Sequence, residues 1–172
     1  AGEDIVDYSN ASSVTITLNN NLAATASSDL GSDILLNIEH VIGTSSNDTI
    51  TGDSQDNSLA GRAGDDVLDG STGDDTLRGE IGDDTLRGGL GDDTIDGGTG
   101  NNTVDYSGDS AVNIDLSAGA AQNTGGAGND TISNIQNVIG SSVNDNLKGD
   151  GSVNILTGSG GADMLLATSN DE

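Results

Sequence analysis

The sequence predicts an all-β solenoid of short strands and glycine-rich loops, and three features of one repeat predict it. Every ninth residue from Gly43 to Gly97 is glycine. An aliphatic residue stands seven places after each of these glycines, and Asp or Asn stands five places after each. A strict period of nine fits neither strand alternation nor a helix, but it describes a loop plus a short strand, stacked repeatedly. The aliphatic residues are Ile50, Leu59, Leu68, Leu77, Leu86, Ile95 and Val104.

Each repeat divides into a six-residue loop and a three-residue strand, numbered here with the glycine as position 1. In the repeat from Gly61 to Asp69, Leu68 at position 8 points inward and its two neighbours point outward, as strand alternation requires. Two consecutive repeats complete one coil of a flattened solenoid, so the loops alternate between its two edges. Each loop therefore lies about 4.8 Å, one strand spacing, from the loop two repeats further along.

The charge balance excludes polyanionic partners and favours cations. The 172 residues include 29 acidic and four basic residues, for a formal net charge of −25. Nucleic acids and anionic membrane surfaces carry the same sign of charge, so neither is an expected partner. Cys is absent, so no disulfide stabilises the fold. No apolar run reaches the length of a membrane span, so we expect no membrane insertion. Only 31% of the residues are hydrophobic, so we expect the fold to need a source of stability besides its hydrophobic core.

A longer period of about 97 residues overlies the short repeat. The segment from Val6 to Ser9 recurs at 104–107, and the segment 37–43 recurs at 134–140. This predicts a first unit at 1–97 and a second, incomplete unit at 98–172, which together form one continuous solenoid. The main repeat run, 43–105, extends over the boundary, and further repeats occupy 125–133 and 140–166.

Each unit opens with features outside the regular repeat. Alternating Val14, Ile16 and Leu18 predict a strand, as do their counterparts in the second unit. Residues 28–36 read as a degraded repeat that keeps Gly31 and Asp33. The six-residue insertions at 37–42 and 134–139 predict one wider turn packed inside the stack.

The stacked loops create an electrostatic conflict that a cation resolves. Asp65 and Asp66 are expected to face Asp83 and Asp84, and four such carboxylates cannot all remain ionised without a counter-charge. Calcium accepts six to eight oxygen ligands with tolerant geometry. Magnesium demands a tighter octahedron, and zinc is disfavoured in a chain with one His and no Cys. The sequence therefore predicts several bound Ca²⁺ ions.

This run resembles the RTX, or haemolysin-type, calcium-binding repeat with consensus G-G-x-G-x-D-x-U-x, where U is a large aliphatic residue. The resemblance implies a right-handed parallel β-roll, a β-helix solenoid with calcium in rows along its edges. It also implies that one loop provides oxygens from its odd positions and the facing loop from its even positions. For the loops at Gly61 and Gly79, the odd set is the carbonyls of Gly61 and Ala63 with the Asp65 side chain. The even set is the carbonyls of Glu80 and Gly82 with the Asp84 side chain.

Extended along the repeats, the resemblance predicts a large set of metal ligands. The candidates are Asp33, Asn47, Asp48, Asp56, Gly61, Ala63, Gly64, Asp65, Asp66, Gly70, Thr72, Gly73, Asp74, Asp75, Gly79, Glu80, Ile81, Gly82, Asp83, Asp84, Gly88, Gly89, Gly91, Asp92, Asp93, Gly98, Gly100, Asn102, Asn129, Asp130, Asn144, Asp145, Gly161 and Asp163. The loops that begin at Gly52, Gly97 and Gly149 depart from the consensus, so we expect weaker calcium binding there. We expect no catalytic residues, because a ladder of equivalent carboxylates lacks the one distinctive pair of a glycosidase.

The functional expectation is a calcium-binding module of a secreted bacterial protein that folds on extracellular calcium. The resemblance implies export by type I secretion, in which an unfolded state helps passage. The module is expected to serve as a spacer or adhesion segment, and a carbohydrate or a host surface would be contacted through the parent protein. The alternatives are an accessory domain of an exported enzyme, such as an alginate epimerase, protease or lipase, and, more remotely, an ice-binding solenoid.

Overall fold

The computed structural model describes residues 2–20, 24–29 and 31–168, and within them the chain forms strands, loops and turns without a helix. The strands are β1 (Ile5–Asp7), β2 (Val14–Thr17), β3 (Ala24–Ser28), β4 (Gly31–Leu35), β5 (His40–Ile42), β6 (Thr49–Thr51), β7 (Ser58–Ala63), β8 (Val67–Asp69), β9 (Thr76–Ile81), β10 (Thr85–Arg87), β11 (Thr94–Asp96), β12 (Thr103–Asp105), β13 (Asn113–Asp115), β14 (Gln122–Asn123), β15 (Asn129–Ser133), β16 (Asn137–Ile139), β17 (Asn146–Lys148), β18 (Ile155–Thr157) and β19 (Met164–Leu166).

Successive repeats alternate between two sheets in which the repeat strands pair in parallel, which confirms the predicted all-β roll. One sheet has the order β1-β5-β7-β9-β11-β15-β14 and the other the order β18-β16-β12-β10-β8-β6-β2-β3-β4. Leu59 lies opposite Leu77 in the first sheet, and Leu68 opposite Leu86 in the second. Each partner is 18 residues along the chain, so one coil contains two repeats. The strands β13, β17 and β19 form a third, three-stranded sheet in the second unit.

The core consists of two columns of aliphatic side chains, one column from each sheet, with one residue from each strand of the repeat run. The seven aliphatic residues at position 8, from Ile50 to Val104, are all fully buried. Thr and Val at position 7 suit the pleated surface because they are β-branched. One cluster of buried residues runs from Tyr8 in the first unit to Leu147 in the second, so both units contribute to one core.

The segment read as a degraded repeat at 28–36 differs from the expected parallel coil. It forms β4, whose paired neighbour is β3 in an antiparallel arrangement, and β3 is in turn antiparallel to β2. The counterpart in the second unit, β15, has an antiparallel neighbour in β14 and also a parallel neighbour in β11. The repeat pattern is present at 28–36, but the coil that would stack on it is missing from the described residues.

The two insertions contain a strand in addition to the wider turn that the sequence predicts. In the first, β5 places Val41 in the core and pairs in parallel with β7. In the second, β16 does the same with Val138 and pairs with β12. Among the described residues, no helix has the length and apolar character needed to cross a membrane.

Candidate metal site in the stacked loops

The exposed acidic residues at position 5 form a ladder along each edge of the solenoid. The N–H of Asp65 donates to Oδ1 of Asn47 at 3.0 Å, and the N–H of Asp83 donates to Oδ1 of Asp65 at 3.0 Å. The opposite edge repeats this pattern through Asp56, Asp74, Asp92 and Asn129. The position-5 side chain therefore binds the backbone of the next coil.

The buried acidic residues at position 6 form a second ladder that runs in the opposite direction. The N–H of Asp48 donates to Oδ1 of Asp66 at 2.8 Å, and the N–H of Asp66 donates to Oδ1 of Asp84 at 2.9 Å. On the other edge, Asp93 Oδ1 accepts the N–H of Asp75 at 2.9 Å. The side chain at position 6 thus binds the preceding coil, and the two ladders tie each loop to both of its neighbours.

The second carboxylate oxygen at position 6 is buried without a hydrogen-bond partner. This holds for Oδ2 of Asp66, Asp75, Asp84 and Asp93, whose side chains are each only 1% exposed. It also holds for Asp145 in the second unit. A buried charge without compensation is costly, so these atoms identify where the fold requires a positive counter-charge.

The electrostatics of these carboxylates agree with that requirement. Burial, with smaller contributions from neighbouring Asp48 and Asp84, raises the pKa of Asp66 to about 7. Burial likewise raises the pKa of Asp75 and of Asp93 to about 7. The pKa of Asp84 is also raised by burial, with Asp65 and Asp83 adding to the effect.

The loop backbone brings carbonyl groups into the same region. Positions 2 and 4 have left-handed backbone angles, for example a φ of 84° at Arg62 and 120° at Gly64. The N–H of Gly64 donates to the carbonyl of Ile81 at 2.9 Å, and the N–H of Thr99 donates to the carbonyl of Glu80 at 2.7 Å. A carbonyl oxygen has two lone pairs, so Ile81 keeps capacity for a second partner, whereas the Glu80 carbonyl also accepts the Thr99 hydroxyl at 3.2 Å.

The predicted backbone ligands recur at fixed positions of the repeat, and their roles as ligands stay predictions. The position-1 group is Gly61, Gly70, Gly79 and Gly88. Positions 2 and 3 comprise Glu80, Gly89, Gly98, Ala63, Thr72 and Ile81. The position-4 group is Gly64, Gly73, Gly82, Gly91, Gly100 and Gly161. In the second unit the same ladders recur, since Asp145 donates its N–H to Asp163 and Ala162 donates to Asn144.

Several predicted ligands have other partners, among them Asp48, whose oxygens accept the N–H groups of Val14 and Thr44. Asp33 lies on β4 and accepts the Tyr8 hydroxyl at 2.8 Å. Asp130 accepts the Tyr106 hydroxyl at 2.8 Å and the Asp93 N–H at 3.1 Å. Asn102 accepts the N–H of Asp84 and donates its side-chain amide to the carbonyl of Asn134. Their roles as ligands stay predictions.

The Tyr–Asp pairs are structural features that the sequence interpretation missed. Tyr8 and Tyr106 each donate a hydrogen bond to an Asp about 25 residues away. The signal was available in the sequence, because the Asp-Tyr-Ser triplet and the later Asp both recur at the longer period.

The donor set in these loops suits a hard cation. Among the described residues, no three His, Cys, Asp or Glu side chains converge on one point in a way that holds a metal. The oxygens available at each loop pair are instead carboxylates combined with backbone carbonyls, the mixture that calcium accepts. The buried unpaired Oδ2 atoms fit an ion of that kind.

Comparison with known protein families decides the assignment. The profile of the RTX calcium-binding nonapeptide repeat matches in four copies, at residues 42–77, 69–104, 124–133 and 138–171. These segments together cover more than half of the chain. The chain belongs to the RTX calcium-binding repeat family. Its RTX loops form a calcium-binding β-roll module, and the first matched residue follows the segment 28–36 that departs from the regular coil. A comparison with curated proteins finds no match.

Proposed function

We propose that this RTX module is a non-catalytic folding switch in an exported bacterial protein: unfolded where calcium is scarce and ordered where calcium is near millimolar. The observation that carries the proposal is the stack of buried position-6 carboxylates, of which Asp66, Asp75, Asp84, Asp93 and Asp145 each have one unpaired oxygen. Extracellular calcium modules commonly bind in the 10⁻⁴–10⁻³ M range. Such a range suits a protein that stays unfolded inside the cell and through a type I secretion channel.

The mechanism couples metal binding to folding through the charge of the chain. The formal net charge of −25 opposes compaction of the calcium-free chain. The loops that hold the ligands exist only in the folded state, because facing donors lie 18 residues apart in sequence. When no preformed site exists in the unfolded chain, the free energy of calcium binding becomes free energy of folding.

The residues that would hold the ion are those at the intact loop pairs. At the loops beginning at Gly61 and Gly79, the donors are the carbonyls of Gly61 and Ala63 with Asp65, and the carbonyls of Glu80 and Gly82 with Asp84. The same assignment joins the loops at Gly70 and Gly88. A bound calcium supplies positive charge beside the buried carboxylates, and the two ladders then hold neighbouring coils in register.

The test is far-UV circular dichroism during a calcium titration, with magnesium titrated in parallel. We expect a cooperative change from a coil spectrum to a β spectrum with calcium and no such change with magnesium. A full β spectrum in EDTA would contradict coupled folding. Isothermal calorimetry in the same buffer counts the ions bound per chain.

Two variants make the assignment specific to the loops. Asp84→Asn removes a buried carboxylate while preserving the oxygen that accepts the Asp66 N–H, and we expect the calcium midpoint to rise severalfold. Asp4→Asn removes the same charge from an exposed site outside the repeats, and it controls for net charge. Equal shifts in the two variants would show that bulk charge, rather than the loop site, sets the midpoint.

The role in the parent protein that we propose is a spacer or adhesion segment. The observation in its favour is the continuous core that joins both units into one elongated stack. The carbohydrate or cell-surface partner of such a protein would then bind at other segments. Limited proteolysis with and without calcium tests the spacer role: the chain should be cut throughout in EDTA and resist cleavage between residues 43 and 166 in calcium.

A further inference from the structure

The series of unpaired carboxylate oxygens in the repeat run ends at the boundary between the two units. Within the run these oxygens belong to Asp66, Asp75, Asp84 and Asp93. The next residue at position 6 is Asn102 on one edge of the solenoid, where it accepts the N–H of Asp84. On the other edge it is Asp130, which accepts the N–H of Asp93. Asn102 and Asp130 are both fully buried, so the partners of their side chains decide whether the series continues.

On the first edge, the side-chain amide of Asn102 ends the series. Its Oδ1 accepts the N–H of Asp84 at 3.0 Å, as the position-6 carboxylates do for the loops before it, and its Nδ2 donates to the carbonyl of Asn134 at 3.0 Å. A Cβ built on Gly97 would meet this nitrogen, just as a Cβ built on Gly79 would meet Oδ2 of Asp84. The amide nitrogen therefore occupies the place that the unpaired oxygen has in the preceding loop.

On the second edge, hydroxyl groups satisfy Asp130. Its Oδ1 accepts the N–H of Asp93 at 3.1 Å, and its Oδ2 accepts the hydroxyl of Tyr106 at 2.8 Å. The carbonyl of Gly128, at position 4 of the same loop, accepts the N–H of Thr124 at 2.9 Å. The Thr124 hydroxyl lies between that carbonyl and Oδ2 of Asp130, at 2.9 and 3.2 Å. Two oxygens at the even positions of this loop are thus already bonded to protein donors.

These donors compensate the boundary loops in the way that a cation would. We call Nδ2 of Asn102 and the hydroxyls of Tyr106 and Thr124 the boundary donors. A hydrogen bond to a buried oxygen offsets the cost of removing that oxygen from water. The side-chain amide nitrogen is a donor without a lone pair to offer, so Nδ2 of Asn102 cannot serve as a calcium ligand. The boundary coil therefore has its positive partners built into the protein.

On the first edge, a single atom separates the boundary from a complete ligand set. In the assignment given above, the odd positions of the loop at Gly79 would face the even positions of the loop at Gly97. That even set is the carbonyls of Gly98 and Gly100 with the side chain of Asn102. Asn102 presents an amide nitrogen where the preceding loop presents a carboxylate oxygen, so a change of this one atom should open the site.

We propose that the boundary donors end both rows of calcium, so that the repeat run binds four ions, one for each of its four unpaired position-6 oxygens, and the boundary coil binds none. This inference rests on the calcium-dependent folding proposed above. It goes further than the weaker binding expected at the loop that begins at Gly97. The boundary is then a joint held by protein hydrogen bonds alone, and no ion is shared between the run and the sites of the second unit.

A gain of one ion in Asn102→Asp tests the proposal. This variant replaces the donor Nδ2 by an oxygen and completes the ligand set, so we expect one more bound calcium than in the unmodified chain. Asn57→Asp is the matched control. Asn57 is also at position 6 with its Nδ2 directed at a backbone carbonyl, that of Glu39 at 3.4 Å, but this neighbour belongs to the insertion 37–42, which has no repeat loop to provide an odd set. We expect no additional ion there.

The reverse change, Asp84→Asn, places an amide where the run has an unpaired oxygen and should remove one ion. Native mass spectrometry counts the calcium ions on each variant, with magnesium at the same concentration as the measure of unspecific attachment. Far-UV circular dichroism reports folding separately. If Asn102→Asp does not fold, Asp84→Asn decides: retention of every ion would overturn the proposal, because an amide at position 6 would then not exclude calcium.

The same measurements distinguish this inference from the function on which it rests. An unmodified chain that binds no calcium would reject both. A chain that folds with calcium, together with a folded Asn102→Asp that binds no additional ion, would reject only the metal-free boundary. An additional ion in both Asn102→Asp and Asn57→Asp would also reject it, because any added carboxylate would then recruit calcium whatever loop faces it.

Discussion

Tyr106 donates its hydroxyl to Oδ2 of Asp130 at 2.8 Å. This hydrogen bond joins the residue that follows β12 to β15, across the segment 107–129. Tyr106 is fully buried, and Thr124 donates to the same oxygen at 3.2 Å. Because the other oxygen of Asp130 accepts the Asp93 N–H, both carboxylate oxygens have protein partners. Polar groups thus complete this coil without requiring a metal ion at Asp130.

Tyr106→Phe is expected to destabilise the calcium-loaded fold by about 1–3 kcal/mol, the cost of removing a donor from a buried charged acceptor. Thermal unfolding followed by circular dichroism at saturating calcium measures the loss. Tyr8→Phe is the matched control, because Tyr8 makes the same bond to an Asp33 that is exposed to water. A larger loss in Tyr8→Phe than in Tyr106→Phe would contradict this account.

The repeat period predicted that the repeats stack, that two repeats make one coil and that the aliphatic residues at position 8 point inward. A fixed spacing of loop and strand leaves one way to bury Leu59, Leu68 and their equivalents. It also predicted that Asp65 and Asp66 belong to the loops. It did not separate their roles. Both are acidic in the sequence, but position 5 is exposed and position 6 is buried because strand alternation begins at the loop end.

The incomplete coil at 28–36 could not be predicted from the pattern either. The residues match a repeat at Gly31 and Asp33, but a parallel strand needs a neighbouring coil to pair with. For β15 that neighbour is β11, supplied by the preceding unit. The described part of the chain contains no preceding unit for β4, so its only paired neighbour is the antiparallel β3.

Gly79→Ala is expected to lower the free energy of unfolding by about 1–3 kcal/mol, because the added methyl group does not fit the packed loop. A Cβ on Gly79 would overlap Oδ2 of Asp84, which is the unpaired buried oxygen of that loop. The calcium midpoint should rise with the loss of stability, because the displaced carboxylate is a proposed ligand. Gly2→Ala is the control, since nothing lies within 4 Å of a Cβ there. Unchanged unfolding of Gly79→Ala would show that the loop relaxes easily.

Ser71→Gly is expected to stabilise the fold by about 0.5–1 kcal/mol. Ser71 occupies position 2 with a φ of 78°, which costs a residue with a Cβ about 1–2 kcal/mol, and the greater freedom of glycine in the unfolded chain offsets part of the gain. The reverse change, Gly89→Ser, should destabilise because a Cβ there would clash with the Ser71 carbonyl. Chemical denaturation in calcium compares the two, and a loss of stability in Ser71→Gly would exclude backbone strain at position 2.

The calcium-free chain is expected to gain β structure as the pH falls from 8 to 5. Burial raises the pKa of Asp66, Asp75 and Asp93 in the folded state to about 7, against an ordinary value of 3.8. Between these values the folded state binds more protons than the unfolded state, so its stability falls as pH rises and is regained on acidification. Protons thereby neutralise the carboxylates that calcium otherwise compensates.

Circular dichroism in EDTA across this pH range measures the gain in β structure on acidification. Calcium titrations at pH 5.5 and 7.5 measure how the proton concentration changes the calcium midpoint. Because protons compete with calcium for the carboxylates, the calcium midpoint for any remaining transition should be higher at pH 5.5. The matched variant is Asp75→Asn, which resembles the natural Asn57 and Asn102 at position 6 and should reduce the gain in β signal on acidification. A β signal in EDTA that falls on acidification would show that these carboxylates are stabilised as anions in the metal-free fold.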